Sequence, residues 1–110
     1  HAVFGVVGGL MQPQGHIQMM LRVAAWGQDV QEAINAPRWR LESDTRIALE
    51  PGSDPAFAKA LKMAGFEDAT GAGELGGRSD FGGAQCVMRA PDGGLIAGSD
   101  PRKDGTTLGR

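Results

Sequence analysis

The sequence predicts an α/β (α+β) chain, with short strands and helices in layers and the helices packed on a face of the sheet. Three observations carry this reading. The apolar, β-branched run Ala2-Val3-Phe4-Gly5-Val6-Val7 stops at Gly8-Gly9. A helical period follows, with Ile17, Met20, Leu21 and Ala24 at i, i+3, i+4 and i+7. Near the other end, two apolar runs flank Pro91-Asp92-Gly93-Gly94, a strong hairpin turn that demands antiparallel pairing.

Taken in order, residues 2–7 read as a buried strand, because they are continuously apolar and end at glycine. Residues 14–26 read as a helix with its apolar stripe toward the core and Gly27 as its stop. Asp29 and Glu32 stand at capping-box spacing, so a short second helix is expected over 30–36, closed by Pro37. Residues 38–44 look irregular, and 46–50 form a candidate strand with Ile47 and Leu49 on one face. Asp54-Pro55 reads as an N-cap followed by proline at the first helical position, and Gly65 ends that helix. Glycine-rich residues 70–77 are a loop or a poorly determined strand. Residues 84–90 and 95–98 are the two arms of the hairpin, and the tail from Asp100 has no periodicity. The predicted order is β-α-α-β-α-(β)-β-β.

At 110 residues the chain is expected to form a single domain, 1–110, whole or in part. Aromatics make up 5% of it and Tyr is absent, so Val, Ile, Leu, Met and Ala must build the core. Glycine, at 18 residues, exceeds twice the usual share of about 7%, which implies tight turns. The net charge of −2 is spread over both signs without a basic face, which argues against a nucleic-acid partner. No apolar run approaches the roughly 18 residues of a membrane span, so no membrane partner is expected. Cys86 is the one cysteine, which excludes an internal disulfide. His1 rather than Met opens the chain, and about four strands leave sheet edges open. The first reads as a processed product or a fragment, and the second points to a missing partner segment.

The residues alone supply one candidate site. The amides of Gly8 and Gly9 lie between strand and helix, where they can bind an anion or a developing oxyanion, or simply make a turn. A nucleophile to go with them is not evident. Ser99 sits in a strand-ending Gly-Ser-Asp-Pro turn, and Thr106 and Thr107 lie in the tail. Cys86 has apolar neighbours and reads as a small buried hydrophobe. His16 reads as a solvated helix-start residue, and the scattered His1, His16 and Cys86 show no metal-ligand spacing. Asp29 and Asp54 read as caps. Asp100 and Arg102 read as a structural tie for the tail, and Arg38 as the pin of a loop or the partner of a carboxylate.

Four segments in order bring in a family. Val7-Gly8-Gly9 through Gln12 resembles a Pro-Gly-Gly segment leading into a helix. Asn35-Ala36-Pro37-Arg38 matches an Asn-Ala-Pro-Arg motif. Gly82-Gly83-Ala84-Gln85 fits a Gly-x-x-Gln strand start. Gly98-Ser99-Asp100-Pro101-Arg102 resembles a terminal Ser-Asp-Pro-Arg segment. Together they resemble the γ-glutamyltransferases (γ-glutamyltranspeptidases) of the N-terminal-nucleophile hydrolase superfamily, over essentially the whole chain.

The resemblance implies part of a four-layer αββα sandwich, here the C-terminal part of the small subunit. In that family a proenzyme cleaves itself, and the new N-terminal Thr attacks the γ-glutamyl carbonyl of glutathione-type substrates. The resemblance places Gly8 and Gly9 as the oxyanion-hole glycines, with Leu10 and Met11 lining or bracing the pocket. Val7 stands where the family has proline. The Thr and the groups that grip the substrate's α-amino and α-carboxylate ends have no counterpart here, so this chain alone is expected to be inactive. No cofactor and no metal are implied. The implied partners are the large subunit and the N-terminal part of the small subunit, a γ-glutamyl substrate in the intact enzyme, and a further copy of the chain if it is isolated. A cephalosporin- or glutaryl-type acylase, and a non-catalytic self-associating module, are the alternative readings.

Overall fold

The computed structural model describes residues 1–69 and 78–109, so the expectation for 70–77 lies outside the described residues. Strand β1, Ala2–Val7, forms where its apolar run predicts it. It pairs antiparallel with β5, Gly83–Arg89, which pairs antiparallel with β6, Leu95–Ser99. The order is β1-β5-β6. Phe4, Cys86 and Gly98 stand side by side across the three strands, as do Val3, Val87 and Ala97. The hairpin turn closes with the Ala90 amide donating to Gly94 O at 2.8 Å, and with the Gly94 amide donating to Asp92 Oδ1 at 2.9 Å.

One face of this sheet holds the main core. Val6, Ala84 and Cys86 pack there against Met19, Val30, Ala33 and Ile34. Burying each large aliphatic side chain contributes about 1.5–3 kcal/mol. The opposite face is open: Val3 is 79% exposed and Val7 56%. The reading of β1 as buried is therefore corrected to buried on one face, since nothing among the described residues covers the other.

A 3₁₀ turn, Gly9–Met11, leads into helix α1, Gln12–Met20, which ends in a π-type stretch, Leu21–Ala25. The helix thus starts before the predicted residue 14, because the 3₁₀ turn delivers the chain straight to Pro13, which is preset for a first turn. The Trp26 amide reaches back five residues to Leu21 O at 2.9 Å. The predicted core stripe points the wrong way. Ile17 and Met20 are 54% and 56% exposed, whereas Gly15, Gln18 and Met19 face inward. Close approach decides this: a Cβ on Gly15 would stand 2.5 Å from Val6 Cγ1, so only glycine lets the helix lie on β1 at that point.

Helix α2, Val30–Asn35, is capped by Asp29, whose carboxylate accepts from the Gln31 and Glu32 amides. Val30, Ala33 and Ile34, at i, i+3 and i+4, form its buried stripe. Helix α3, Pro55–Met63, starts as predicted from Asp54, which accepts from the Ala56 amide at 2.8 Å.

The second sheet has the order β2-β3-β4, with β2 at Trp39–Leu41, β3 at Arg46–Leu49 and β4 at Glu67–Asp68. Strand β2 is antiparallel to β3, and β4 is parallel to it. The expectation of an irregular 38–44 is corrected at β2. Its three residues carry no local strand signal, and its outer edge is completed by side chains of α1. The Trp39 amide donates to Gln18 Oε1 at 3.0 Å, and Gln18 Nε2 donates to Trp39 O at 2.9 Å. One turn earlier on the helix, Gln14 Oε1 accepts from the Leu41 amide at 2.6 Å. Gln31 of α2 does the same for β6, accepting from the Ser99 amide at 3.1 Å and donating to Ser99 O at 2.9 Å. On β3, Ala48 is buried as well as Ile47 and Leu49, since Ala48 packs with Ala69 and Phe81 on the far side.

Candidate active site

Strand β1 ends in two consecutive glycines of left-handed conformation, Gly8 at φ 137° and Gly9 at φ 59°. L-residues with a Cβ rarely adopt these angles. The Met11 amide donates to Gly8 O at 3.0 Å and the Gln12 amide donates to Gly9 O, so the carbonyls are committed to the helix start. Gly8 is the N-cap and Gly9 the first residue of the 3₁₀ turn, positions whose N–H groups have no acceptor within the helix. Both glycines are exposed. The arrangement offers two N–H donors at the head of a helix.

The turn is backed tightly. A Cβ on Gly8 would meet Gly82 Cα at 3.0 Å and Met11 Cβ at 3.1 Å, so Met11, fully buried, braces the turn from behind. Leu10 is 83% exposed beside it. Gly82, itself at φ 75°, lies so close that a Cβ there would stand 2.4 Å from Val7 O.

Behind Gly82 lies a buried ionic cluster of Arg38, Glu50, Asp100 and Arg102. Arg38 Nη2 meets Asp100 Oδ2 at 2.7 Å, with both side chains buried, and Arg38 Nη1 donates to Phe81 O at 3.0 Å. The Arg38 amide donates to Glu50 Oε2 at 3.0 Å. Arg102 Nε donates to Glu50 Oε1 at 2.7 Å, Arg102 Nη2 also pairs with Glu50 Oε2, and Nη1 meets Asp100 Oδ1 at 3.1 Å. Arg102 further donates to Ile34 O at 2.8 Å and Ala36 O at 3.0 Å, at the C-terminal end of α2. Asp100 accepts from the amides of Ala84 at 2.7 Å and Arg102 at 2.8 Å. Two cations and two anions thus balance with most polar atoms satisfied, which burial of charge requires.

These contacts set the charge states. Burial works against the Asp100 carboxylate, but the Ala84 and Arg102 amides and the Arg38 guanidinium overcome it and hold its pKa below the ordinary value. Burial, and then the charge of Arg102, lower the pKa of Arg38. Burial also opposes the charge of Arg102, but Glu50 and Asp100 more than offset it and raise its pKa.

The remaining sequence candidates fall as structural residues. Ser99 closes β6, with its backbone paired to Gln31. Cys86 is buried in β5, and burial pushes its thiol pKa up, away from a reactive thiolate. His16 Nδ1 lies 2.6 Å from Gln12 O, and its ring stands 5.5 Å from that of Phe4. Among the described residues no hydroxyl or thiol pairs with His16, and no group of three His, Cys, Asp or Glu could hold a metal. Arg38 both binds a carboxylate and pins a loop, and Asp100–Arg102 is the expected tie. Glu50 was not legible as a partner, because its role depends on contacts 12 and 52 positions away in sequence. A cavity of about 460 Å³ lies apart from the turn, between α3 and the second sheet, lined by Ile47, Leu49, Leu61 and Phe66 among others.

Comparison with known proteins gives these features a context. The chain is 31% identical to the oxamate amidohydrolase proenzyme of Klebsiella pneumoniae, over 97% of its own length and 21% of that protein. It is 33% identical to the glutathione hydrolase proenzyme of Escherichia coli, over 97% of its length and 18% of that protein. The chain therefore spans about a fifth of the length of these relatives. Among solved structures, cephalosporin acylase from Bacillus halodurans superposes with a TM-score of 0.82 at 36% identity, covering 94% of this chain and 19% of that one. The transpeptidase CapD of Bacillus anthracis gives 0.82 at 19% identity, covering 99% and 63%, a likeness of fold. The expected fold, part of an N-terminal-nucleophile hydrolase, is that of these neighbours. Residues 1–109 match the Gamma-glutamyltranspeptidase family, and the chain belongs to that family.

Proposed function

We propose that this chain is the C-terminal part of the small subunit of an enzyme that transfers or hydrolyses γ-glutamyl groups, and that Gly8 and Gly9 supply its oxyanion hole. One observation carries the reading: two consecutive left-handed glycines, both exposed, join a strand end to the head of a helix. As a nucleophile attacks an amide carbonyl, negative charge grows on its oxygen. Two preorganised N–H donors stabilise that charge without having to reorganise, an effect of roughly 3–4 kcal/mol per donor. The nucleophile, an N-terminal Thr in this reading, comes from sequence outside the chain, as do the groups that hold the glutamyl end. The chain alone is inactive.

The open face around Val3 and Val7 supports a role within a larger assembly. Its partners in this reading are the large subunit and the N-terminal part of the small subunit. An isolated chain, with that face uncovered, self-associates or is poorly soluble.

A second reading has its own support: the cephalosporin acylase is 36% identical, which favours an acylase acting on a side-chain amide. Both readings use the same oxyanion chemistry and differ in the acyl group accepted. The test is hydrolysis by the full-length protein of γ-glutamyl-p-nitroanilide against glutaryl-p-nitroanilide. Preference for the γ-glutamyl substrate supports the first reading, and preference for glutaryl supports the second. Turnover of neither contradicts both.

A further inference from the structure

We propose that Arg38 and Asp100 are positioning residues for the Gly8–Gly9 turn, acting through the backbone of residues 81–84. The proposal rests on reading that turn as an oxyanion hole. Gly82 forms the wall behind Gly8, with its Cα 3.0 Å from where a Gly8 Cβ would be. The backbone on both sides of Gly82 is held by the same ion pair. Arg38 Nη1 takes Phe81 O at 3.0 Å, and Asp100 Oδ2 takes the Ala84 amide at 2.7 Å. Arg38 Nη2 and Asp100 Oδ2 close the ring at 2.7 Å.

The partners of each group leave little freedom. Asp100 Oδ1 is held by the Arg102 amide and by Arg102 Nη1, so the carboxylate cannot rotate without breaking four contacts. Gly82 also presses on the end of β1 itself, since a Cβ there would stand 2.4 Å from Val7 O, the carbonyl of the peptide that leads into Gly8. A shift of the 81–84 backbone is therefore passed to the turn. A displacement of about 1 Å in donor position costs on the order of a hundredfold in rate. Neither Arg38 nor Asp100 needs to touch substrate for this.

The experiment uses the full-length enzyme with γ-glutamyl-p-nitroanilide. Arg38→Lys keeps a cation for Asp100 but has one nitrogen where three acceptors, Phe81 O, Ile34 O and Asp100 Oδ2, must be served. Asp100→Asn keeps the shape and loses the charge. Each is expected to lower kcat by about tenfold to a hundredfold with KM within about threefold, and to speed hydrogen exchange over residues 8–11. Combined with Gly9→Ala, where a Cβ meets open space and the change strains only the backbone, the losses should fall short of multiplying. A variant that lowers melting temperature yet leaves kcat and exchange over residues 8–11 unaltered overturns the proposal. If Gly9→Ala alone collapses kcat while Arg38→Lys does not, positioning fails and the oxyanion hole stands. If Gly9→Ala leaves kcat unchanged, the oxyanion reading itself fails. Should Asp100→Asn not fold, Arg38→Lys decides.

Discussion

Arg38 and Asp100 meet at 2.7 Å with side chains 1% and 0% exposed, and the contact joins the two sheets. Asp100 follows directly on β6, and Arg38 directly precedes β2. Removing Asp100 leaves the Arg38 guanidinium buried without its ion-pair partner. Asp100→Ala is therefore expected to destabilise the protein by about 3–5 kcal/mol. The Arg40–Glu42 pair, with side chains 24% and 20% exposed, provides the contrast. Glu42→Gln, in a pair that keeps part of its side chains in solvent, should cost less than Asp100→Ala. Urea unfolding of both variants checks the difference.

Acid should unfold the protein through the same group. The folded-state pKa of Asp100 lies below its unfolded value, so its stabilising contribution is complete above the unfolded value of about 3.8. As pH falls below that, the unfolded chain takes up a proton that the folded one refuses, and the contribution drains away toward the folded pKa. Stability measured from pH 6 down to 2 should fall steeply below about pH 4, and less steeply in Asp100→Asn.

The two faces of α1 and α2 predict opposite sensitivities. Ile34 is fully buried against the sheet, so Ile34→Ala is expected to cost about 2–5 kcal/mol. Ile17 is 54% exposed on α1, and Ile17→Ala should stay within about 0.5 kcal/mol among the described contacts. Thermal unfolding of the two variants compares them directly.

Gln18 holds the edge of β2 by accepting from the Trp39 amide and donating to its carbonyl. Gln18→Glu retains the acceptor but sets a carboxylate oxygen against Trp39 O. The expected loss is about 1–3 kcal/mol, with faster hydrogen exchange at the Trp39 amide. Exchange unchanged at Trp39 would show that the strand does not depend on this side chain.

Cys86 should behave as a core residue. Buried in β5 with a raised thiol pKa, it is expected to react with a thiol reagent only as the protein unfolds. Labelling kinetics across a urea series check this.

Much of the fold was legible because it is written locally. The β-branched run of β1, the Asp29 and Asp54 caps and the Pro91–Gly94 turn each announce themselves within a few residues. What was not legible depends on long-range contact. The stripe Ile17–Met20–Leu21 has a core-like period, yet Gly15 must face Val6, and that rotates the stripe outward. Strand β2 exists through glutamines some 21 and 27 positions away. At the candidate site, the glycine pair was visible as a strand-to-helix break. Gly82 as its backing, and Glu50 as a partner of Arg102, required the folded chain.

The most direct measurement is the turnover of γ-glutamyl-p-nitroanilide by the full-length protein, wild type against a Gly8→Val, Gly9→Val variant that still folds and self-cleaves. The account predicts that kcat collapses by a hundredfold or more, on the order of what one lost oxyanion donor costs, with substrate still bound. Turnover equal to wild type would contradict it and leave Gly8-Gly9 a simple turn.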